Sequence, residues 1–80
     1  MKVEVKLFAT LAIYLPRDRE GNSATVEVPE GTTAGHVVHG LGIPDGTPRI
    51  VLLNGRDADL REPLHDGDAL ILFPPLAGGR

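Results

Sequence analysis

Two unbroken apolar runs in the second half of the chain constrain its fold most strongly. Residues 50–53 read IVLL and residues 69–73 read ALILF, and each run lies beside a turn signal, Asn-Gly at 54–55 or Asp-Gly at 66–67. Short apolar runs bounded by turns are typical of strands. Because the runs do not alternate with polar residues, each strand is buried on both faces or presents one face to a partner. The sequence therefore predicts two strands without a polar, water-facing side.

The first half of the chain predicts two further strands of a different kind. Residues 2–8 and 24–28 alternate apolar with charged or polar side chains, which is the period of a strand with one buried face. The turn residues Gly21 and Asn22 lie between them and suit a hairpin. The predicted sheet therefore has four strands, and the first two make one of its faces polar.

One short helix is predicted between the second and third strands. Thr32 or Thr33 suits its N-cap, and Gly35 and Gly40 weaken it, so packing rather than intrinsic propensity must stabilise it. Its apolar residues follow the i, i+3, i+4, i+7 pattern of one helix face: Ala34, Val37, Val38 and Leu41. A helix of this length covers only one face of a four-stranded sheet.

The uncovered face of the sheet must therefore carry apolar side chains on its last two strands. We expect Val51 and Leu53, or Ile71 and Phe73, to point outward and to form an exposed patch. A contiguous apolar patch on a small protein usually marks a docking site. The alternative is that the loop of residues 56–65 folds over this patch.

Composition excludes several classes of function. The 80 residues make one domain, and a net charge of −3 without a basic run argues against nucleic acid as a partner. Cysteine is absent, which excludes disulfides, thiolate catalysis and cysteine-bound zinc. No stretch approaches the ~20 apolar residues of a membrane span, and the alternating N-terminus is unlike a signal peptide. We therefore expect a cytoplasmic protein without a membrane partner.

No cluster of side chains predicts catalysis or cofactor binding. His36, His39 and His65 lack the acidic or cysteine neighbours of a zinc site, so we expect no bound metal. Asp66 and Asp68 are better explained by a turn before a strand than by acid/base chemistry. The protein is therefore predicted not to be an enzyme by itself and to bind no cofactor.

The C-terminal sequence FPPLAGGR changes character step by step. Pro74 and Pro75 cannot donate to a sheet ladder, so strand pairing must stop there. Residues 74–79, at about 3.3 Å each, can extend ~20 Å from the domain. Gly78 and Gly79 have no Cβ, which lets the backbone enter a channel too narrow for side chains. A frayed terminus is the alternative, but this order of residues favours a tail that enters a partner.

These motifs resemble one known family. LNGR followed by PLHDGDALILFPPLAGG resembles the C-terminal half of the MoaD/ThiS small sulfur-carrier proteins, and KVEVKLFATLAIYLP and TVEVPEGTTAGHVVHGLGI are similar to their first strand and to their second strand and helix. The ending FPPLAGG is closest to MoaD, the small subunit of molybdopterin synthase. The resemblance implies an α+β fold, the ubiquitin-like β-grasp, in which a mixed sheet of four to five strands packs on one helix. It also implies a domain at residues 1–75 and a flexible Gly-Gly tail at residues 76–80.

The resemblance implies a mechanism as well. In this family a ThiF/MoeB-like adenylating enzyme uses ATP to activate the terminal glycine carboxylate, and sulfide then converts it to a thiocarboxylate. By resemblance, Gly79 carries the sulfur to an accepting enzyme, such as a MoaE-like synthase large subunit in molybdenum or tungsten cofactor synthesis. The residues that would thread the tail into a partner are Gly78, Ala77, Leu76, Pro75 and Pro74. The residues that would dock the domain are Phe73, Ile71, Val51 and Leu53.

Arg80 departs from the family pattern. Mature carriers end at glycine, and with Arg80 in place the Gly79 carbonyl is an amide that cannot be adenylated. We therefore expect a peptidase to remove Arg80. Three alternatives stay open: a sulfur carrier for thiamine, cysteine or transfer-RNA thiolation, a ubiquitin-like modifier joined to lysines through Gly79, and a non-catalytic β-grasp module that uses only its apolar patch.

Overall fold

A mixed sheet with one α-helix on one face forms the body of the protein. The computed structural model describes residues 1–44 and 46–75. In chain order the elements are β1 (Lys2–Leu7), a 3₁₀ helix (Ala9–Tyr14), β2 (Ser23–Glu27), α1 (Ala34–Gly40), β3 (Ile50–Leu53), β4 (Arg56–Asp57) and β5 (Ala69–Phe73). The strand order is β2-β1-β5-β3-β4, in which β1 and β5 run parallel and the other neighbours antiparallel. The predicted mixed sheet on one helix is confirmed, and the predicted division at residue 75 stays a prediction.

The hydrophobic core lies between the sheet and α1. Strand β1 contributes Val3, Val5 and Leu7, all fully buried, because alternation points every second side chain of a strand to the same face. The central strand β5 contributes Leu70 and Leu72, which pair with Val5 and Leu7 in the parallel register. The alternation of residues 2–8 therefore predicted the buried face of β1 correctly.

Helix α1 begins at a capping box. The hydroxyl of Thr33 accepts a hydrogen bond from the His36 N–H at 3.2 Å, and Nδ1 of His36 accepts one from the Thr33 N–H at 3.1 Å. These bonds satisfy donors that a helix start otherwise leaves without a partner. Three of the four predicted residues of the apolar face are buried in the helix, Ala34, Val37 and Val38, and Leu41, just past the helix end, is partly buried against the core.

The loop between β4 and β5 packs against the start of α1 and not against the open face of the sheet. Leu64 is buried in the core, and its N–H donates to the Thr32 carbonyl at 2.9 Å. The carbonyl of Leu60 accepts from the Gly35 N–H at 2.7 Å. These contacts hold the loop on the helix side of the molecule. The alternative in which residues 56–65 cover the open face is therefore wrong.

Strand β4 was not predicted from the sequence. Asn54 and Gly55 both have positive φ, 53° and 85°, as a type I′ hairpin turn requires. The turn folds Arg56 and Asp57 back beside β3, where Leu53 pairs with Arg56. The Asn-Gly pair predicts a turn beside the third predicted strand, but the two charged residues after it carry no strand pattern of their own.

The two glycines of α1 are expected to respond oppositely to alanine. A Cβ on Gly35 would lie 3.0 Å from the Leu60 carbonyl oxygen, whereas a Cβ on Gly40 would meet nothing within 4 Å. Gly40→Ala should therefore raise the free energy of unfolding by up to ~1 kcal/mol, the usual gain in helix propensity. Gly35→Ala should lower it by about 1 kcal/mol or more, because crowding exceeds that gain. Chemical denaturation of both variants tests this, and an equal gain at both positions would contradict the close approach of the loop.

Candidate docking face and tail exit

The face of the sheet opposite α1 is divided into a polar half and an apolar half. The polar half lies on β1 and β2, where Ser23 Oγ donates to Glu4 Oε2 at 2.8 Å. The register places the remaining outward side chains of these strands beside one another: Lys2, Lys6, Thr25 and Glu27. The predicted polar surface of the first two strands is thus confirmed.

The apolar half lies on β3 and β5. Ile50 is paired with Phe73, and Leu52 with Ile71, and all four side chains are half-buried rather than enclosed. We call these four residues the apolar patch. The loop that could have covered them lies on the other side of the sheet, so an apolar patch is present on the last two strands as predicted, but its side chains are half-buried rather than fully exposed.

Two residues predicted to face outward are instead in the core. Val51 is 9% exposed and Leu53 is 5% exposed, and they pair with the buried Leu72 and Leu70. The prediction that Val51 and Leu53 dock a partner is therefore corrected: Ile50 and Leu52 occupy the outward positions of β3. An unbroken apolar run does not reveal which alternate residues face the helix, so the assignment of β3 side chains to the two faces of the sheet depends on its register with β5. The outward positions of Ile71 and Phe73 are as predicted, and their docking role stays a prediction.

Phe8 extends the apolar patch and was missed in the sequence. Its backbone is extended, its N–H donates to the Leu72 carbonyl at 3.2 Å, and its side chain is 38% exposed. Because Leu7 pairs with Leu72 in parallel, the next residue along, Phe8, falls beside Phe73 on the open face. The alternation of residues 2–8 contained this signal. Both phenylalanines of the chain therefore lie at the same end of this face.

The tail leaves the sheet directly beside the apolar patch. The last pair of β5 is Phe73 with Ile50, and the next two residues, Pro74 and Pro75, are in no strand, as predicted. Pro74 is half-buried and Pro75 is exposed. The chain thus passes from the patch into its C-terminal segment without an intervening element. Pro74 and Pro75 are the only predicted threading residues among the described ones. The other predicted threading residues and the sulfur-carrying and processing residues lie outside them: Leu76, Ala77, Gly78, Gly79 and Arg80.

The acidic pair near residue 67 ties strands together. Asp66 Oδ1 accepts from the Lys2 N–H at 2.7 Å, which fastens the turn to β1. Asp68 Oδ1 accepts from Nδ2 of Asn54 at 3.0 Å, and its Oδ2 accepts from the His65 N–H at 2.8 Å. Both carboxylates are thus used by the turn, which supports the structural interpretation over acid/base chemistry.

The stability of the protein should fall in acid partly through Asp68. The hydrogen bond from Asn54, and then the N–H of His65, lower the pKa of Asp68 below its ordinary value of 3.8. A carboxyl whose folded pKa is depressed stabilises the fold at pH values above its unfolded pKa, and this contribution is lost as the pH falls through the folded pKa. Asp68→Asn should therefore have a lower melting temperature at neutral pH and a smaller decrease between pH 5 and the acid limit. If the melting temperatures of the two proteins fall by the same amount at each pH step, this role of Asp68 is contradicted.

Metal binding and membrane spanning can be assessed from the same described residues. Within residues 1–44 and 46–75, no three histidine, aspartate or glutamate side chains are grouped to hold a metal ion. Across the same residues, no helix is long and apolar enough to cross a membrane. His36 serves the helix cap, and Nδ1 of the exposed His65 lies 3.8 Å from Asp68 Oδ2.

Comparison with known proteins decides the family. A family model described as Mut7-C ubiquitin matches residues 1–78. The chain belongs to the Mut7-C ubiquitin family. The predicted ubiquitin-like fold is thereby confirmed, and the match covers both the sheet and the segment that contains Gly78. No curated protein sequence matches the chain.

Solved structures of similar proteins agree with this family. SAMP1 from Haloferax volcanii is 31% identical, with a TM-score of 0.74 over 99% of this chain and 100% of that one. The putative molybdopterin converting factor subunit 1 from Pyrococcus furiosus is 25% identical, with a TM-score of 0.71 over 94% and 98% of the two chains. Subunit 1 of the molybdopterin-converting factor from Helicobacter pylori, seen in a complex with subunit 2, is 25% identical, with a TM-score of 0.63 over 99% and 100%. The predicted similarity to MoaD-type proteins is confirmed, and these similar proteins are small ubiquitin-like proteins or subunits.

Proposed function

We propose that this member of the Mut7-C ubiquitin family is a sulfur carrier whose Gly79 is converted to a thiocarboxylate after Arg80 is removed. One observation carries the proposal: β5, which carries half of the apolar patch, ends directly before Pro74 and Pro75, and Gly78 and Gly79 follow in the sequence. An adenylating enzyme of the ThiF/MoeB kind docks on the patch, and the tail then reaches its active site. The side chains of the carrier take no part in the chemistry.

The chemistry requires a free carboxylate at Gly79. A peptidase hydrolyses the Gly79–Arg80 amide, and the new carboxylate attacks the α-phosphorus of ATP with release of pyrophosphate. The outer sulfur of a persulfide donor then attacks the acyl-adenylate carbonyl and expels AMP, and a thiol reduces the resulting acyl disulfide, which leaves the thiocarboxylate on Gly79 and a disulfide between the thiol and the donor. Because an acyl-adenylate is also attacked by water, the reaction must take place inside a closed partner site, and a tail without Cβ atoms suits such a site.

Molybdopterin synthesis is the acceptor pathway that we favour. Two of the similar structures are subunits 1 of molybdopterin converting factors, and in one of them subunit 1 is bound to subunit 2. We therefore expect a MoaE-like large subunit to receive the tail of this chain. Thiamine, cysteine and transfer-RNA thiolation remain the competing destinations of the sulfur.

A ubiquitin-like modifier is the second candidate function. SAMP1, whose name denotes a small archaeal modifier protein, is similar over almost the whole chain. In this case the activated Gly79 carbonyl is attacked by a lysine amine of a target protein, and an isopeptide bond forms. Both functions need the same activation of Gly79, so they differ only in the nucleophile.

Intact-mass spectrometry of the protein from its own host separates these functions. We expect a chain that ends at Gly79 and is heavier than the free acid by the mass difference between sulfur and oxygen. Adducts on lysines of other proteins would favour the modifier, and an unmodified chain with Arg80 under all conditions would contradict both. Deletion of Gly78 and Gly79 should abolish both products. A thiocarboxylate on untrimmed protein would contradict the processing step.

A further inference from the structure

The free edge of β2 is the less protected of the two sheet edges. The strand order leaves β2 and β4 at the edges. Strand β4 is two residues long, and both of these residues, Arg56 and Asp57, are charged and exposed, which is a common protection against edge-to-edge pairing. Strand β2 is five residues long and contains no lysine, arginine or proline. Its outer edge can therefore accept another strand.

The pairing of β2 with β1 determines which backbone groups of β2 point outward. Met1 and Val28 exchange both backbone hydrogen bonds at 2.9 Å, and the Leu7 N–H donates to the Asn22 carbonyl at 3.0 Å. In an antiparallel ladder such hydrogen-bonded pairs alternate with non-bonded ones. Ala24 and Val26 consequently bond to β1, and the residues between and after them face away from it.

Two residues of β2 present free donors and acceptors at the edge. The outward-facing positions are Ser23, Thr25 and Glu27, and the N–H and carbonyl of Ser23 are already bonded to Glu20 at 3.0 and 2.8 Å. For the N–H and carbonyl of Thr25 and Glu27, the structure of residues 1–44 and 46–75 records no partner. Beside this edge, an apolar groove between β2 and α1 is lined by Val26, Val28, His36, Val37, Gly40 and Leu41.

We propose that this edge pairs with the β2 edge of a second copy of the chain, antiparallel, about a two-fold axis through Val26. In this register Thr25 bonds to the partner's Glu27, and Glu27 bonds to the partner's Thr25, so that all the free groups of both edges are satisfied. Val26 lies opposite the partner's Val26 on the groove side, where two β-branched side chains pack favourably. The occupant of the edge is therefore an identical strand.

The alternative registers of this pair are less favourable. An axis through Thr25 would direct Glu27 toward the partner's Ser23, whose backbone groups are already bonded. An axis through Glu27 would place it opposite the partner's Glu27, a like-charge pair, and would bring Thr25 opposite the partner's Pro29, which has no N–H. Only the axis through Val26 avoids both faults, and there Glu27 has Thr25 of the partner on one side and Lys2 of its own chain on the other.

The dimer does not rest on the proposed function. In the sheet, β1 lies between β2 and β5, and both β1 and β5 lie between β2 and β3, so the outer edge of β2 is separate from the two strands that carry the apolar patch. Pairing through β2 therefore leaves both apolar patches, and Pro74 and Pro75 beside them, uncovered. Loss of the dimer and loss of sulfur transfer are accordingly separable results.

Sedimentation velocity on the full chain, from micromolar to millimolar concentrations, tests the dimer. We expect a concentration-dependent monomer–dimer equilibrium. Thr25→Glu places two like-charge pairs across the axis and should weaken dimerisation about tenfold. Adding Glu27→Lys to Thr25→Glu should restore it, because each new carboxylate then faces a lysine. Thr25→Pro should give a monomer, because proline removes an outward N–H and leaves the β1 ladder intact.

Several results would overturn the proposal. They are a wild-type monomer at every concentration, a dimer that is insensitive to residues 25 and 27, and a double variant that is not restored. Loss of the dimer in Ile71→Asp but not in Thr25→Glu would place the interface on the apolar patch instead. Circular dichroism of each variant shows whether it is folded. If Thr25→Pro is unfolded, the comparison of Thr25→Glu with the double variant Thr25→Glu, Glu27→Lys decides whether the dimer forms through β2.

Discussion

Leu72→Ala should lower the free energy of unfolding by about 2–5 kcal/mol, the largest loss of stability that we expect from a single substitution. Leu72 is 0% exposed and lies on β5, between β1 and β3. Its truncation leaves a cavity in the hydrophobic core, to which β1, β3, β5 and α1 all contribute buried side chains. A domain of this length has a total stability of only ~4–12 kcal/mol, so a large fraction would be lost.

The residue before Leu72 on the same strand provides the matched control. Ile71 is half-buried on the open face. Ile71→Ala should therefore lower the free energy of unfolding by about 1 kcal/mol or less, because the side chain buries little apolar surface. Thermal unfolding should shift by roughly 10–40 °C for Leu72→Ala and by only a few degrees for Ile71→Ala. Equal shifts for the two variants would mean that β5 is buried on both faces, and the apolar patch would then not be exposed.

The faces of the sheet were predictable only where the sequence alternates. In β1, charged residues separate Val3, Val5 and Leu7, so each side chain could be assigned to a face before the structure was known. In β3 every residue is apolar, and Val51 was assigned to the wrong face. Its true direction depends on its register with β5, a contact between residues about twenty positions apart that no local pattern records.

The tail and its surroundings were predictable to different degrees. The prolines of FPPLAGGR predicted the end of strand pairing at Phe73, because proline has local effects that do not depend on the fold, and the roles of its two glycines stay predictions. Phe8 was missed because its neighbour on the patch, Phe73, is distant in sequence and becomes adjacent only through the parallel pairing of β1 with β5. The position of residues 56–65 depended on backbone bonds to the helix start, such as the one from Gly35 to Leu60, which side-chain patterns do not reveal.

Under the proposed function, Ile71→Asp should weaken binding to the proposed adenylating enzyme by about a hundredfold and leave the fold intact. In the free protein the new carboxylate is exposed and lies beside Lys6, the cross-strand neighbour of Ile71, so its cost to stability is small. In the proposed complex the same carboxylate would be removed from water at the centre of the interface, where Lys6 offsets only part of the roughly 3–5 kcal/mol that an uncompensated buried charge costs. Phe8→Ala should weaken binding in the same direction, by about tenfold, because Phe8 lies at the end of the patch where the tail leaves the sheet.

Ile13→Asp is the control for this experiment because it makes the same chemical change outside the patch. Ile13 is 76% exposed on the 3₁₀ helix, so its replacement should alter neither the melting temperature nor the affinity. Isothermal titration calorimetry of the three variants against the adenylating enzyme compares the two surfaces directly. If Ile13→Asp weakens binding as much as Ile71→Asp does, the enzyme docks on the 3₁₀ helix or responds only to added negative charge. If neither variant changes the affinity, the tail alone carries recognition, because the segment after Pro75 would then bind without support from the sheet.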